Sequence, residues 1–295
     1  MKTLVIGANG QVGHELLRAL LPLGEVVATT RAGGEQDGIQ CEALDLAQPA
    51  AAAALIARIH PDAVVNAAAY TAVDKAESEE ALAARINGEA PGEIAKACAD
   101  AGIPLVHYST DYVFDGQGAR PYLTSDATAP LGIYGATKLA GEQAVRAAGG
   151  DHVILRTAWV YGLYGQNFLR TMLRLGAERD ELNVVADQVG SPTPAWLIAD
   201  VTAAILRHGI VGGQTHHVVT AGHTSWHGFA EAIFDEAVQR GDLPRKPRVN
   251  AIPTSAYPTP AKRPGYSVMD TSSLRDAFGI ELPGWREALH RTFDR

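Results

Sequence analysis

With 295 residues and a hydrophobic fraction of 46%, the chain can fill one large or two modest domains with a full core. Acidic side chains number 33 against 25 basic ones, a net charge of −8, which excludes broad nucleic-acid or anionic-membrane binding but leaves room for one small anionic ligand. The two cysteines, Cys41 and Cys98, form no C-x-x-C pair, and no apolar run approaches the length of a membrane span, so neither a disulfide framework, a zinc site nor a membrane helix is expected.

Short apolar runs alternate with Ala-rich helical patterns along the first half. Strands are predicted over 3–6, 26–28, 63–65, 105–108 and 153–155, and helices over 11–21, 50–59, 79–101 (with a break near Pro91) and 134–148. The opening Met-Lys runs straight into the first strand without the apolar stretch and cleavage site of a secretory signal. Together with two ordinary thiols this predicts a cytoplasmic protein. Strand and helix in repeated alternation imply right-handed crossovers and an α/β fold, a Rossmann-type doubly wound parallel sheet. Beyond about residue 160 the alternation becomes irregular and prolines are frequent, with helical stretches near 194–207 and 225–239. Residues 1–158 are therefore assigned to a dinucleotide-binding domain. Residues 159–295 are assigned mainly to a smaller substrate-binding lobe that can return a strand and a helix to the first domain.

Gly7-Ala8-Asn9-Gly10-Gln11-Val12-Gly13 follows the first strand and opens the first helix. In that context glycines let the backbone approach a pyrophosphate, and the helix N-terminus offers it free N–H groups and a positive dipole end. The second strand ends Ala28-Thr29-Thr30-Arg31, with no acid to grip the ribose of NAD and with an arginine suited to the 2′-phosphate of NADP. NADPH is accordingly expected, with NADH as the alternative. Asp45, in Leu44-Asp45-Leu46, is placed to meet the adenine edge.

Tyr134-Gly135-Ala136-Thr137-Lys138 puts a phenol and an ammonium on one helix face. A neighbouring cation stabilises a phenolate, so the tyrosine can exchange a proton with a carbonyl oxygen as hydride is transferred. Ser109-Thr110-Asp111 leaves a strand 25 residues before the tyrosine and offers a hydroxyl to the same oxygen. Arg263, in a proline-bounded loop, can hold a diphosphate.

These segments resemble the extended short-chain dehydrogenase/reductases and, within them, the dTDP-4-dehydrorhamnose reductases. The likeness continues through residues 66–77, 109–116, 134–142, 156–161, 187–188 and 253–261, nearly the whole chain. The resemblance implies NADPH-dependent reduction of a nucleotide-linked 4-keto deoxysugar. It implies Thr110, Tyr134 and Lys138 as the catalytic set. Gly10, Gln11, Val12, Asp45, Leu46, Ala69, Tyr70, Thr71 and Tyr108 would line the dinucleotide, and Asp111 and Trp159 the sugar nucleotide. Related dehydratases carry Thr-Asp-Glu at the strand end. Here Thr110-Asp111-Tyr112 lacks the glutamate needed to abstract a proton.

A magnesium ion bound at a dimer contact occurs in the family. Only Glu15 matches its ligands, Trp196 and Arg291 falling at the others, so no metal is assigned. The chain is expected as a monomer or homodimer acting on a small-molecule nucleotide sugar. Alternatives are another 4-keto-deoxysugar nucleotide, or the role of a relative of this fold, the non-catalytic regulatory subunit of methionine adenosyltransferase. His216, His217, His223 and His227 gather in the second lobe but lack the converging set of a metal site.

Overall fold

A computed structural model describes residues 1–295. Its centre is an eight-stranded sheet of β1 (Lys2–Ile6), β2 (Glu25–Thr30), β3 (Gly34–Gln36), β4 (Ile39–Ala43), β5 (Ala63–Asn66), β6 (Leu105–Thr110), β7 (His152–Thr157) and β8 (Gly213–His217). The order across the sheet is β8-β7-β6-β5-β1-β2-β4-β3, and every pairing is parallel except β3 with β4. Strand order reverses between β1 and β5. The crevice beyond the carboxyl ends of these strands is where such sheets take ligands.

The side-chain period of two explains why the sheet is buried on both faces. On β1, Val5 packs with Leu16, Tyr108, Leu155 and Ile198 on one face. Its neighbours Leu4 and Ile6 pack with Leu55, Ile94 and Val145 on the other. Helices Gln11–Leu20 and Ala195–His208 cover the first face, and Ala51–Ile59, Ala90–Ala101 and Ile133–Ala148 the second. The second lobe has its own core, with Tyr161, Leu169, Phe229, Phe234 and Trp285 joining helices Phe168–Glu178, Trp226–Arg240 and Trp285–Phe293. Strands Glu181–Val185 and Arg248–Ile252 pair in parallel beside them. No helix is long and apolar enough to cross a membrane.

Three sequence expectations change. The edge hairpin β3–β4 lies outside the predicted strands, although its Asp37-Gly38 turn has φ of 51° and 77°, the backbone that Asp-Gly favours in two-residue hairpins. The helix expected over 79–101 is Glu80–Ala84, a π turn at Arg85–Glu89, and Ala90–Ala101, with Pro91 in the first turn of the last piece. The irregularity therefore precedes the proline, which occupies a position where its missing N–H does no harm. His216 and His217 belong to β8, in the main sheet, and not to the second lobe. His216 bonds Ser273 and Gln214, and His217 the carbonyl of Asp270.

Candidate active site

The glycine loop is built on contact. Gly7 takes φ of 89°. A Cβ on Gly13 would lie 2.0 Å from the Gly7 carbonyl oxygen, so only glycine lets the helix start against the loop. Gly10 caps helix Gln11–Leu20 without a side chain, leaving its first N–H groups open toward the crevice. The Gln11 Oε1 is buried and has no partner. An open helix N-terminus, a backbone free of side chains and an orphaned polar atom suit a dinucleotide pyrophosphate. Val12 packs on the core behind the loop.

At the end of β2 the Thr30 hydroxyl donates to the Gly33 carbonyl at 2.7 Å and shapes the turn. Arg31 is exposed and makes no ion pair, so its guanidinium is free for a phosphate. Asp45 accepts from the Ala47 amide at 3.0 Å, and Leu46 is buried beside it. The Ala69–Tyr70–Thr71 turn is clamped by Asn87, whose side chain accepts from the Tyr70 amide at 2.8 Å and donates to its carbonyl at 3.0 Å. Asn87 was not singled out from the sequence. It lies in the π turn, 1% exposed, and also reaches the Thr137 hydroxyl, tying the Ala69–Thr71 turn to the Tyr134–Lys138 helix.

Thr110 ends β6, with its hydroxyl accepting from the Tyr112 amide at 3.2 Å and donating to Asp111 Oδ1 at 3.0 Å. Tyr134 is the second residue of helix Ile133–Ala148. A Cβ on Gly135 would stand 2.2 Å from the Tyr112 carbonyl, so that glycine lets the helix pack directly on the β6 exit. Burial raises the Tyr134 phenol above its usual range, and a hydrogen bond with Thr110 opposes the shift. Lys138, 3% exposed, donates to the Tyr108 carbonyl at 2.7 Å, and burial lowers it to about 8. Ser109 lies on the opposite side of β6 from this set, near Glu142, so Thr110 is the hydroxyl that faces Tyr134. The Tyr108 side chain points into the core, where its hydroxyl meets Thr202 at 2.6 Å. Only its backbone faces Lys138.

Glu142, fully buried, holds Arg156 through two bonds of 2.8 and 2.7 Å behind this set. Asp111, 3% exposed, is pushed up to about 6 by burial, with Thr110 and Ser267 pulling back. Its Oδ2 has no partner of good geometry. Arg263 pairs with Asp74 at 2.7 Å and lies beside Tyr112, whose ring meets Tyr134 edge-on at 5.4 Å. Trp159 has φ of 49° and stacks on Trp226. Glu15 faces Arg18 and Arg295, at 3.6 and 3.7 Å, while the Trp196 indole donates to Thr292.

The family described as the RmlD substrate binding domain matches residues 1–295. A dTDP-4-dehydrorhamnose reductase of Burkholderia thailandensis is 50% identical over 98% of this chain and 97% of its own length. The chain belongs to the dTDP-4-dehydrorhamnose reductase family. Among solved members, the reductase of Clostridium acetobutylicum superposes with a TM-score of 0.88 at 38% identity, covering 100% of this chain and 99% of its own. The reductase of Bacillus anthracis, solved in complex with NADP, gives 0.89 at 37%, over 99% and 98%. In this reductase family member, the residues that sequence reasoning missed at the site are Asn87, Glu142, Gln188, Trp226 and Ser267. Of these, Glu142 and Gln188 stand in the segments that carried the resemblance.

Proposed function

We propose that the chain reduces the C4 keto group of dTDP-4-dehydro-6-deoxy-L-mannose with NADPH, forming dTDP-L-rhamnose. The observation that carries this reading is that the Tyr134 phenol faces Thr110 at the carboxyl end of β6, one helical turn before Lys138, which bonds the Tyr108 carbonyl of the same strand, in a member of this family. Gly7, Gly10, Gln11, Val12 and Gly13 would hold the pyrophosphate, Thr30 and Arg31 the 2′-phosphate, and Asp45, Leu46, Ala69, Tyr70, Thr71 and the Tyr108 backbone the rest of the dinucleotide. A bound reduced nicotinamide supplies the hydride to the sugar C4.

Thr110 orients the C4 oxygen. Tyr134, kept protonated by burial, gives its proton to that oxygen as it gains charge, and the Lys138 ammonium stabilises the phenolate left behind. Asp111 and Trp159 hold the sugar nucleotide, and Arg263 its diphosphate. Asp74 now occupies Arg263, so a diphosphate there must compete with that carboxylate.

The test follows nicotinamide absorbance with enzymatically generated dTDP-4-dehydrorhamnose, separately for NADPH and NADH. Sugar-dependent oxidation, faster with NADPH, is expected. Absence of oxidation with both cofactors, in protein that binds NADPH, would overturn the reading.

A further inference from the structure

Asp187-Gln188 and the segment from Pro253 have no part in the reaction set out above, yet they converge on one side chain of the substrate site. The Asp187 carboxylate accepts from the Thr254 amide at 2.8 Å and from its hydroxyl at 2.6 Å, pinning that segment. Gln188, 8% exposed, then uses both ends of its amide. Its Nε2 donates to the Thr254 hydroxyl oxygen at 3.1 Å, and its Oε1 accepts from the Trp226 indole at 3.1 Å. Trp226 opens helix Trp226–Arg240, where Ser225 caps by accepting from the Gly228 amide at 3.0 Å. Backbone and ring of Trp226 are thus fixed independently. Its indole lies on that of Trp159, with centroids 3.6 Å apart and planes 6° from parallel.

Trp159 needs such support. A non-glycine residue in the left-handed region is unfavourable and persists only where its surroundings determine it. One face of its ring is covered by Trp226, and its edge abuts Gly190, where a Cβ would come within 2.5 Å. Trp159 also packs against the cluster of Val113 and Phe114 and remains half-buried, so a ligand meets only the part of the ring left exposed.

We propose that Gln188 and Trp226 are positioning residues, which set the plane of Trp159 and so the seat of the sugar nucleotide. The proposal rests on the reading of Trp159 as a substrate contact. A stacked aromatic pair is worth a few- to about tenfold in an equilibrium constant. Replacing Trp226 by leucine, or Gln188 by leucine, is therefore expected to raise the KM for the keto-sugar nucleotide and the Kd for dTDP-L-rhamnose by about three- to tenfold. The KM for NADPH should not move.

The experiment measures both KM values, calorimetric binding of dTDP-L-rhamnose and the exciton signal of the stacked indoles in circular dichroism, for Trp226→Leu, Trp226→Phe, Gln188→Leu and Trp159→Ala. Thermal melting checks that each variant folds. Loss of the exciton signal with weakened sugar-nucleotide binding in Trp226→Leu, partly restored in Trp226→Phe, supports the proposal. If Trp159→Ala weakens binding but the Trp226 and Gln188 variants bind as wild type, the positioning role is overturned and the substrate contact stands. If Trp159→Ala binds as wild type, both fall. Absence of turnover in the wild type would sink the reductase reading alone, because calorimetry still reports the seat.

Discussion

The Lys138 ammonium donates to the Tyr108 carbonyl oxygen at 2.7 Å, and both groups are enclosed between β6 and the helix that carries Tyr134. Burial weakens the lysine's hold on its proton and brings it down to about 8, against the pull of Glu142 one helical turn further on. The charged form therefore dominates below about 8 and is lost as pH rises through it. If that charge stabilises the tyrosinate, kcat/KM falls on the alkaline side with an inflection near 8. Lys138→Met should give a low profile without this inflection. An alkaline limb that survives in Lys138→Met belongs to another group.

The Tyr134 phenol faces the Thr110 hydroxyl, and burial keeps it protonated, the form a reductase needs. Tyr134→Phe keeps the ring that Tyr112 meets edge-on and removes only the acid. Turnover should drop by about 10²- to 10⁴-fold, the usual contribution of a positioned acid, with NADPH affinity retained in a fluorescence titration. Wild-type turnover in this variant would remove Tyr134 from the mechanism.

Arg31 follows the last residue of β2 and has no carboxylate partner in the fold. Its loss should weaken only a cofactor that carries a 2′-phosphate. For Arg31→Ala the KM for NADPH is expected to rise roughly tenfold or more, the worth of one charged hydrogen bond, with the KM for NADH unchanged. Equal losses for both cofactors would mean that Arg31 supports the loop and does not read the phosphate.

What was legible in the sequence was local. The two-residue period of Leu4, Val5 and Ile6, the glycines that the first turn requires and the four-residue spacing of Tyr134 and Lys138 are all properties of short windows. What was missed depends on partners far away in the chain. β8 joins the sheet beside β7 across some 60 intervening positions, although His216 and His217 read as lobe residues. Asp74 and Arg263 meet across 189 positions, and Trp226 gains meaning only when Trp159 lies against it. The π turn that aims Asn87 at Tyr70 has no periodic signature of its own. Asp37-Gly38 did carry a local signal, which the weakly apolar strands on either side obscured.

Asp111 permits a test of stability separate from turnover. Its carboxyl is 3% exposed, and burial lifts it from the usual 3.8 to about 6, beyond what the neighbouring hydroxyls and backbone amides recover. The folded protein therefore holds this proton more tightly than the unfolded chain. The associated stability is fully present below about 3.8 and is lost as pH rises through about 6, where ionising the buried group costs the fold about 3 kcal/mol. Asp111→Asn removes the titration while keeping an oxygen to accept from Thr110. At pH 7.5 the variant should melt roughly 5 °C above the wild type, and the difference should shrink toward zero near pH 4. An advantage that does not change with pH would arise from packing, and its absence at pH 7.5 would mean that Asp111 ionises without strain in the folded site.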